Sequence, residues 1–245
     1  MKLVLFSGTT EGRSLSRALA SLGGDVHVCV ASDYGREEQG EIPGVTVHAG
    51  HLDVDGMEAV LQGAMLCIDA THPYAVLATD NIRAAAEKAG IPYKRLLRRA
   101  SDLPEGSIVV ASAAEAAAYL TETEGNILFT TGSRELAAFA ALGGERLYPR
   151  VLPAAESLAL CEAAGIPRRN VVAMQGPFSR ELNLALIQQF SIRYLVTKDG
   201  GDAGGFKEKA AAAADSGVTL VVIRRPEDNG EDYDTILNYC KELLS

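Results

Sequence analysis

The sequence has no tryptophan and few other aromatic residues, with 8 Tyr and 6 Phe among its 245 residues. Cysteine is also scarce: Cys29, Cys67, Cys161 and Cys240 lie far apart along the chain. This spacing does not fit the paired cysteines of a zinc site or a thiol redox motif. Cys29 and Cys67 fall inside apolar runs, so we expect reduced core thiols in a cytoplasmic protein.

Basic residues are outnumbered, 23 against 32 acidic ones, which gives a formal net charge of −9. An acidic chain repels phosphate backbones, which argues against a dedicated nucleic-acid-binding protein. No apolar run approaches the ~18 residues of a membrane span, and the N-terminus shows no signal-peptide pattern. We therefore expect a cytoplasmic protein without nucleic-acid or membrane partners, in which local Lys, Arg or backbone N–H groups hold any anionic ligand.

Short runs rich in Val, Ile and Leu alternate with Ala- and Leu-rich stretches along nearly the whole chain. The apolar runs are continuous, which is typical of parallel strands buried on both faces. The predicted strands are 2–6, 26–31, 45–48, 65–70, 93–97, 108–111, 127–131, 145–148, 171–174, 192–197 and 218–224. The predicted helices are 10–22, 54–61, 73–89, 115–120, 135–142, 154–163, 180–190, 206–216 and 233–244. This pattern predicts an α/β protein with parallel sheets.

Two stretches share the order strand, Gly-containing polar loop and helix: residues 2–19 and residues 126–142. Between them, the segment 93–124 contains a polar, turn-rich stretch that is suited to a hinge. We therefore predict two Rossmann-like domains, 1–124 and 125–245, with a cleft between them. A single continuous sheet is the alternative.

The loop after the first strand is a candidate nucleotide-binding loop. It reads Phe-Ser-Gly-Thr-Thr-Glu-Gly-Arg over residues 6–13 and leads into the first predicted helix. A glycine there allows close backbone approach, and the N–H groups of a helix N-terminus favour a pyrophosphate. The loop has neither the G-x-G-x-x-G nor the P-loop pattern, so a capped turn is the alternative. The predicted contacts are Gly8, Thr9, Thr10, Glu11, Gly12 and Arg13.

The end of the second strand bears on the choice of cofactor. Ser32 and Arg36 are residue types that accommodate the 2′-phosphate of NADP, whereas Asp33 is the type that binds the ribose 2′-hydroxyl of NAD. The sequence favours NADP and leaves NAD as the alternative.

Residues 69–74, Asp-Ala-Thr-His-Pro-Tyr, follow another apolar strand. Proline is common at the first helical position, so Pro73 predicts a helix start with Thr71 or His72 beside the cap. Histidine is a poor cap, and we expect His72 to contact a ligand at the strand end. A surface histidine bonded to local backbone is the alternative.

Three further loops follow predicted strands: 130–134, 175–179 and 198–209. The last contains four glycines in eight residues, which favours a mobile or anion-binding loop. It is bracketed by Lys198 and Lys209. A cation in the first turn of a helix opposes the helix dipole, so a ligand explains Lys209 better than stability does. A solvated flexible loop is the alternative.

Other motifs fail on geometry. Tyr194 and Lys198 have the spacing of a short-chain dehydrogenase pair, but that pair requires one helical face and these residues lie on a predicted strand. His48, His51 and Asp53 straddle a strand end and a helix cap, so we expect no metal site.

Taken in order, these motifs resemble the precorrin-6A reductase family of cobalamin biosynthesis. The resemblance covers essentially the whole chain and rests most on Asp-Ala-Thr-His-Pro at 69–73 and Thr-Lys-Asp-Gly-Gly at 197–201. It implies reduction of one C=C bond of precorrin-6A, or of its cobalt form, to precorrin-6B by NADPH. The implied partners are an anionic tetrapyrrole and neighbouring enzymes of the pathway.

The resemblance also implies a division of labour, with NADP bound by residues 1–124 and substrate by 125–245. The cofactor set is the 8–13 loop together with Ser32, Arg36, Thr71, His72 and Pro73. The substrate set is Tyr74, Gly132, Ser133, Arg150, Gly176, Pro177, Phe178, Lys198, Asp199, Gly200, Gly201 and Lys209, with Arg98 and Arg225 as further basic candidates. We predict that Lys198 anchors substrate and stabilises developing negative charge, that His72 positions the nicotinamide, and that water can donate the proton. Another NAD(P)-dependent reductase and a non-enzymatic nucleotide sensor are the alternatives.

Overall fold

The computed structural model describes residues 1–97, 101–201 and 204–245. The chain divides into two compact units. Unit 1 comprises Met1–Arg99 and Pro226–Ser245, and unit 2 comprises Ala100–Arg225.

Unit 1 contains a five-stranded parallel sheet. Its strands are β1 (Lys2–Phe6), β2 (Asp25–Val30), β3 (Val45–Ala49), β4 (Leu66–Asp69) and β5 (Tyr93–Arg95). Its helices are α1 (Thr10–Ser21), α2 (Asp33–Gln39), α3 (Val54–Leu61), α4 (Val76–Ala89) and, after unit 2 in the chain, α9 (Tyr233–Leu244). The strand order is β3-β2-β1-β4-β5.

Successive residues of β1 enter two different apolar clusters. Leu3 and Leu5 pack on one face of the sheet with residues of α1 and α9. Val4 and Phe6 pack on the other face with residues of α3 and α4. Because both faces are covered, the strand is an uninterrupted apolar run rather than an alternating one.

Unit 2 contains a six-stranded sheet, also parallel. Its strands are β6 (Ile108–Val110), β7 (Asn126–Phe129), β8 (Leu147–Val151), β9 (Val172–Ala173), β10 (Ile192–Lys198) and β11 (Thr219–Ile223). Its helices are α5 (Ala113–Thr121), α6 (Ala155–Ala163), α7 (Arg180–Gln189) and α8 (Phe206–Ser216), with short 3₁₀ helices at Leu136–Leu142, Gly144–Arg146 and Arg168–Asn170. The strand order is β6-β11-β10-β7-β8-β9.

The predicted fold class is confirmed, since the chain forms two parallel α/β sheets and not one continuous sheet. The predicted division into 1–124 and 125–245 is wrong in two respects: unit 2 begins earlier than predicted, and the C-terminal residues belong to unit 1. Strand β6 and helix α5 belong to unit 2, and residues 226–245 return to unit 1. The reason for the return is apolar burial, because Ile236 and Cys240 of α9 are fully buried in the core cluster that contains β1.

The helices differ from the prediction in three places. Helix α2 was not predicted, because its sequence Asp-Tyr-Gly-Arg-Glu-Glu-Gln has no apolar periodicity. Helix α4 begins at Val76 instead of residue 73, and residues 136–142 form a 3₁₀ helix. Across the described ranges, none of the helices has the length and apolarity needed to cross a membrane.

Candidate functional site

The first candidate region lies where β1 and β4 end side by side in unit 1. From β1 the chain proceeds to β2 and β3 on one side, and then to β4 on the other. Loops that leave neighbouring strands in opposite directions open a crevice, which is where α/β sheets bind ligands. The Thr9 hydroxyl joins the two loops, because Oγ1 donates to the carbonyl of Ala70 at 2.9 Å and accepts from the Gly12 N–H at 3.1 Å.

The two glycines of the first loop have different roles. Gly8 is exposed at a φ of +155°, and a Cβ there would meet no atom within 4 Å. A Cβ on Gly12 would lie 2.5 Å from Ser7 Oγ and 2.9 Å from Ala70 Cβ. Gly12 therefore packs α1 against the sheet, while Gly8 leaves the backbone open to a ligand.

Capping restricts which groups of this loop remain available. Thr9 is the N-cap of α1, and its hydroxyl is used in both directions. Thr10 is exposed at the first helical position, where the backbone N–H has no partner within the helix. Glu11 places a carboxylate in the same turn. The loop offers an anion its backbone N–H groups, against the charge of Glu11.

A buried ion pair organises the loop after β4. Asp69 is fully buried, and its Oδ1 lies 2.9 Å from Arg95 Nη1. The same Oδ1 accepts hydrogen bonds from the Thr71 N–H at 2.9 Å and the Thr71 hydroxyl at 2.7 Å. The Tyr93 hydroxyl donates to Oδ2 at 3.0 Å, and burial and the Asp69 charge raise the pKa of Tyr93. Arg95 also pairs with Asp228 at 2.7 Å.

This network is not visible in the sequence. Arg95 and Asp228 are 26 and 159 residues away from Asp69 in sequence, so no local motif connects the three. The sequence feature that points to it is Asp69 itself, a charged residue at the end of an otherwise apolar strand.

His72 lies in the turn that follows. Its carbonyl accepts from the Ala75 N–H at 2.8 Å, and its Nδ1 lies 3.4 Å from the Tyr74 N–H. The His72 and Tyr74 rings are 5.5 Å apart between centroids. Helix α4 has Ala75 as its N-cap, without a side-chain bond. The prediction of a helix start at Pro73, with Thr71 or His72 beside the cap, is therefore wrong, because α4 begins at Val76 and the Thr71 hydroxyl is bound to Asp69.

The end of β2 forms the N-terminus of α2. Ser32 is the N-cap, and its Oγ accepts from the Gly35 N–H at 3.1 Å. Arg36 follows one turn later and is exposed, so it lies on the same side of the helix as Ser32. Arg13 pairs with Glu38 of α2 at 3.0 Å, so this predicted cofactor contact already has a partner.

In unit 2 the corresponding position lies between β7 and β10, because the chain runs from β7 to β8 and β9 before it returns on the other side. Thr130 donates from its N–H and its hydroxyl to the Val196 carbonyl, both at 2.9 Å. Lys198 Nζ lies 2.9 Å from Glu135 Oε1. Within the described part of the chain, Glu135 Oε2 is buried without a hydrogen-bond partner. Lys198, predicted to meet substrate, is thus held by Glu135.

Gly132 and Ser133 lie in the loop between Thr130 and Glu135. Gly132 has a φ of +85° with open space where a Cβ would be. Ser133 is half-buried, and its carbonyl accepts from the Leu136 N–H at 3.3 Å.

Asp199 is bonded within the protein, and its role in substrate binding stays a prediction. Its Oδ2 lies 3.1 Å from Arg225 Nε, and its Oδ1 accepts from the Ser101 N–H at 3.2 Å. Burial alone would raise the pKa of Asp199, but these hydrogen bonds outweigh it and hold the pKa below its usual range. Gly200 and Gly201 are buried beside it. Arg98, Asp202 and Ala203 lie outside the described residues.

Arg150 and Phe178, both predicted from sequence, are in contact near the carboxyl edge of the unit 2 sheet, and Lys209, also predicted, lies close enough for the Arg150 charge to lower its pKa. Arg150 Nη1 donates to Asn183 Oδ1 at 2.8 Å, and its guanidinium lies 3.8 Å from the centroid of the Phe178 ring. A Cβ on Gly176 would lie 2.9 Å from that ring, so the glycine permits the position of Phe178. The exposed Pro177 joins the two. Asn183, fully buried, was not predicted.

Both cations are buried, and their pKa values reflect it. Burial lowers the pKa of Arg150 to about 10. Burial and the Arg150 charge lower the pKa of Lys209 to about 8, while the Glu208 charge opposes this shift. In the ranges that the structure describes, no cluster of three His, Cys, Asp or Glu residues is placed to hold a metal ion.

Comparisons with known proteins identify the family. A family model described as "Precorrin-6x reductase CbiJ/CobK" matches residues 2–241. The cobalt-precorrin-6A reductase of Priestia megaterium is 31% identical over 249 residues, which cover 99% of this chain and 96% of that protein. The precorrin-6A reductase of Mycobacterium tuberculosis is 33% identical over 231 residues, or 92% and 89% of the two chains. A solved structure titled "CobK precorrin-6A reductase" has the same fold, with a TM-score of 0.79, 24% identity and coverage of 99% and 97%. The resemblance drawn from the sequence is confirmed, and the chain belongs to the precorrin-6x reductase family.

Proposed function

We propose that this protein uses NADPH to reduce one C=C bond of a precorrin-6A-type macrocycle, with the cofactor bound by unit 1 and the substrate by unit 2. Family membership supports the reaction class and a nicotinamide cofactor. The observation that carries the division of labour is the open Gly8 loop at the N-terminus of α1 in unit 1, set against the buried cations Arg150 and Lys209 in unit 2.

The first loop of unit 1 fits a dinucleotide. Gly8 has the open backbone that a pyrophosphate requires, and α1 supplies the N–H of its first residue, Thr10, and the positive end of its dipole. The bound nicotinamide would supply hydride. His72 and Tyr74, whose rings lie together at the end of β4, would position that ring. Pro73, buried between them, fixes the turn.

The N-terminus of α2 supports NADPH over NADH. The Ser32 oxygen caps the helix, and among the described residues no acceptor takes its hydroxyl hydrogen, which can therefore donate to a phosphate. Arg36 lies on the same side of the helix and adds a charge that only a 2′-phosphate would use. Asp33 stays exposed in the first turn as the NAD-type alternative.

Unit 2 presents its cations at the carboxyl edge of its sheet, and a substrate with several carboxylates would use them. Arg150 and Lys209 are assigned to binding, with Phe178 as an aromatic wall. Lys198, held by Glu135 at 2.9 Å, would stabilise the negative charge that hydride addition leaves on the macrocycle. The loops that contain Gly132 and Gly176 would bring backbone N–H groups close to the same ligand.

The test is turnover with purified protein. Precorrin-6A and cobalt-precorrin-6A are each incubated with NADPH or NADH, while cofactor oxidation is followed by absorbance and the product by mass spectrometry. We expect oxidation only with the macrocycle present, faster with NADPH, and a product heavier by two hydrogen atoms. Cofactor binding without turnover on either macrocycle would favour the sensor and contradict the proposal.

A further inference from the structure

Two buried cations of unit 2 have no carboxylate partner among the described residues. Arg150 is 6% exposed and Lys209 is 7% exposed. In the described ranges, no Asp or Glu oxygen lies within 4.0 Å of a charged nitrogen of either residue, and Lys209 makes no side-chain hydrogen bond. Burial of an unpaired charge costs several kcal/mol, so a stability role does not account for them.

Arg150 is nevertheless held in a defined orientation. Asn183 accepts its Nη1–H through Oδ1, and Asn183 Nδ2 in turn donates to the Ser179 carbonyl at 2.7 Å. The Phe178 ring covers one face of the guanidinium at 3.8 Å. A neutral amide and an aromatic ring orient the guanidinium and leave its charge uncompensated, with further N–H donors unused.

Lys209 lies in the first turn of α8. The N-cap of this helix is Gly205, which provides no side-chain acceptor for the first N–H groups. Lys209 therefore adds its charge to the positive end of the helix dipole. Glu208 is the opposing charge nearby, but it raises the pKa of Lys209 less than Arg150 lowers it. In the described structure, Glu208 Oε2 is buried without a hydrogen-bond partner.

We propose that Arg150, Lys209 and the first turn of α8 form a receptor for one oxyanion group, a carboxylate or a phosphate, of a bound ligand. This deepens the proposed function and rests on it for the identity of the ligand. A carboxylate would come from the tetrapyrrole side chains, and a phosphate from the dinucleotide. The unfavourable burial of both charges in the free protein is then offset when the ligand binds.

The test compares Lys209→Met with wild type and with the matched control Lys207→Met, an exposed lysine in the same turn. Thermal unfolding is measured with and without inorganic phosphate, and with uroporphyrin as a carboxylated tetrapyrrole. We expect Lys209→Met to have a higher midpoint than wild type without ligand, since it loses a buried unpaired charge, and to lose the ligand-induced rise. Lys207→Met should behave like wild type. Arg150→Gln is the second variant and should also lose the ligand-induced rise.

Dissociation constants separate the two sources of the oxyanion. A loss of about tenfold or more for uroporphyrin alone assigns the site to a carboxylate, and the same loss for NADPH alone assigns it to a phosphate. Unchanged binding of phosphate, uroporphyrin and NADPH in both variants overturns the proposal. Lysine-dependent binding without any turnover would contradict the proposed function and leave the receptor standing.

Discussion

At the scale of single residues, existing hydrogen bonds determine which groups can meet a ligand. The Thr9 hydroxyl donates to Ala70 and accepts from Gly12, so both of its bonding directions are used. Thr71 is committed to Asp69 in the same way. Within the described part of the chain, Ser32 accepts only from Gly35 and can still donate. Among these three hydroxyls, the one at the end of β2 is the best placed to contact a cofactor.

Arg36 provides a direct test of cofactor choice. We expect Arg36→Gln to weaken NADPH binding by about tenfold, because a charge-assisted phosphate contact is lost, with NADH binding almost unchanged. Arg17→Gln, at an exposed position of α1, is the control. Dissociation constants from cofactor fluorescence give the answer. Equal losses of affinity for NADPH and NADH would contradict this role of Arg36 and favour Asp33 as the residue that contacts the ribose.

Lys198 and His72 should separate substrate handling from cofactor handling. We expect Lys198→Ala to reduce turnover and raise the substrate KM while NADPH still binds, because the lysine lies in unit 2 beside Glu135. His72→Ala should instead weaken cofactor binding or slow hydride transfer. Steady-state kinetics and cofactor titration on both variants measure this. Loss of NADPH binding in Lys198→Ala, with substrate affinity retained, would reverse the assignment.

Lys209 should make stability depend on pH. Its pKa falls from the ordinary lysine value of 10.5 to about 8 in the folded protein, so between these values the unfolded chain binds more protons. Stability therefore rises with pH across this window, by up to about 3 kcal/mol. Denaturant unfolding near pH 7 and pH 10 should show this rise in wild type and less of it in Lys209→Met. The pKa of Arg150 falls to about 10, so Arg150 contributes mainly at the upper end of this window. Identical pH profiles for the two proteins would rule the effect out.

At the scale of elements, close packing of helices on strands requires particular small residues. A Cβ on residue 12 would lie 2.5 Å from Ser7 Oγ and 2.9 Å from Ala70 Cβ. Helix α1 would therefore have to move away from β1 and β4 to make room for a side chain at this position. The Gly176 position has the same relation to the Phe178 ring. Gly12 therefore fixes the loop that we propose binds the nucleotide, and Gly176 fixes the aromatic ring beside Arg150.

Gly12→Val tests the first of these contacts. We expect it to lower the free energy of unfolding by about 1–3 kcal/mol through overpacking, and to weaken NADPH binding as the loop shifts. Ser14→Val, at an exposed position of the same helix, controls for helix propensity. Chemical denaturation and cofactor titration report the two effects. A well-folded variant with full NADPH affinity would place the cofactor elsewhere.

The sequence predicts elements where local pattern determines structure. Each predicted strand overlaps one of β1–β11, because buried parallel strands are continuous apolar runs. Helix α2 has no such apolar pattern, since Gln39 is the only one of its residues that is buried. The Gln39 side chain donates from Nε2 to Ser16 Oγ. The start of α4 was misjudged because Thr71 is bonded to Asp69 and cannot act as a cap.

The candidate site was predictable to the extent that it follows strand ends. Gly8, Arg150, Phe178 and Lys209 all belong to segments that the motifs marked. The contacts of Asp69 with Arg95 and of Asp199 with Arg225 were not predictable, since each joins residues 26 positions apart that only the fold brings together. The roles of such residues depend on tertiary neighbours and not on local pattern.

At the scale of the whole chain, the C-terminal segment is part of the N-terminal core. Helix α9 packs on α1, and Ile236 is fully buried among residues of β1, β2 and β4. Lys94 and Arg95 further bind this segment through ion pairs to Glu231 and Asp228. The integrity of unit 1 therefore depends on residues far away in sequence.

Ile236→Ala makes this dependence measurable. We expect a loss of about 2–5 kcal/mol, as for other large-to-small core substitutions, confined to unit 1. Hydrogen exchange followed by mass spectrometry should show faster exchange in β1, β2 and α1, with β7 and β10 unchanged. Ile187→Ala, in the core of unit 2, should give the opposite pattern. Equal acceleration in both units would show that they unfold as one.

The return of residues 226–245 to unit 1 also sets an order for folding during synthesis. A ribosome makes strands β1–β4 before unit 2, yet α9, which covers Leu15 and Leu19 of α1, emerges only after unit 2. Unit 2 is complete in sequence before unit 1, so the later-encoded unit can reach its native state first. During that interval the nascent sheet of unit 1 carries an uncovered apolar face, and chaperones that bind such faces are expected to act on this protein until α9 has emerged.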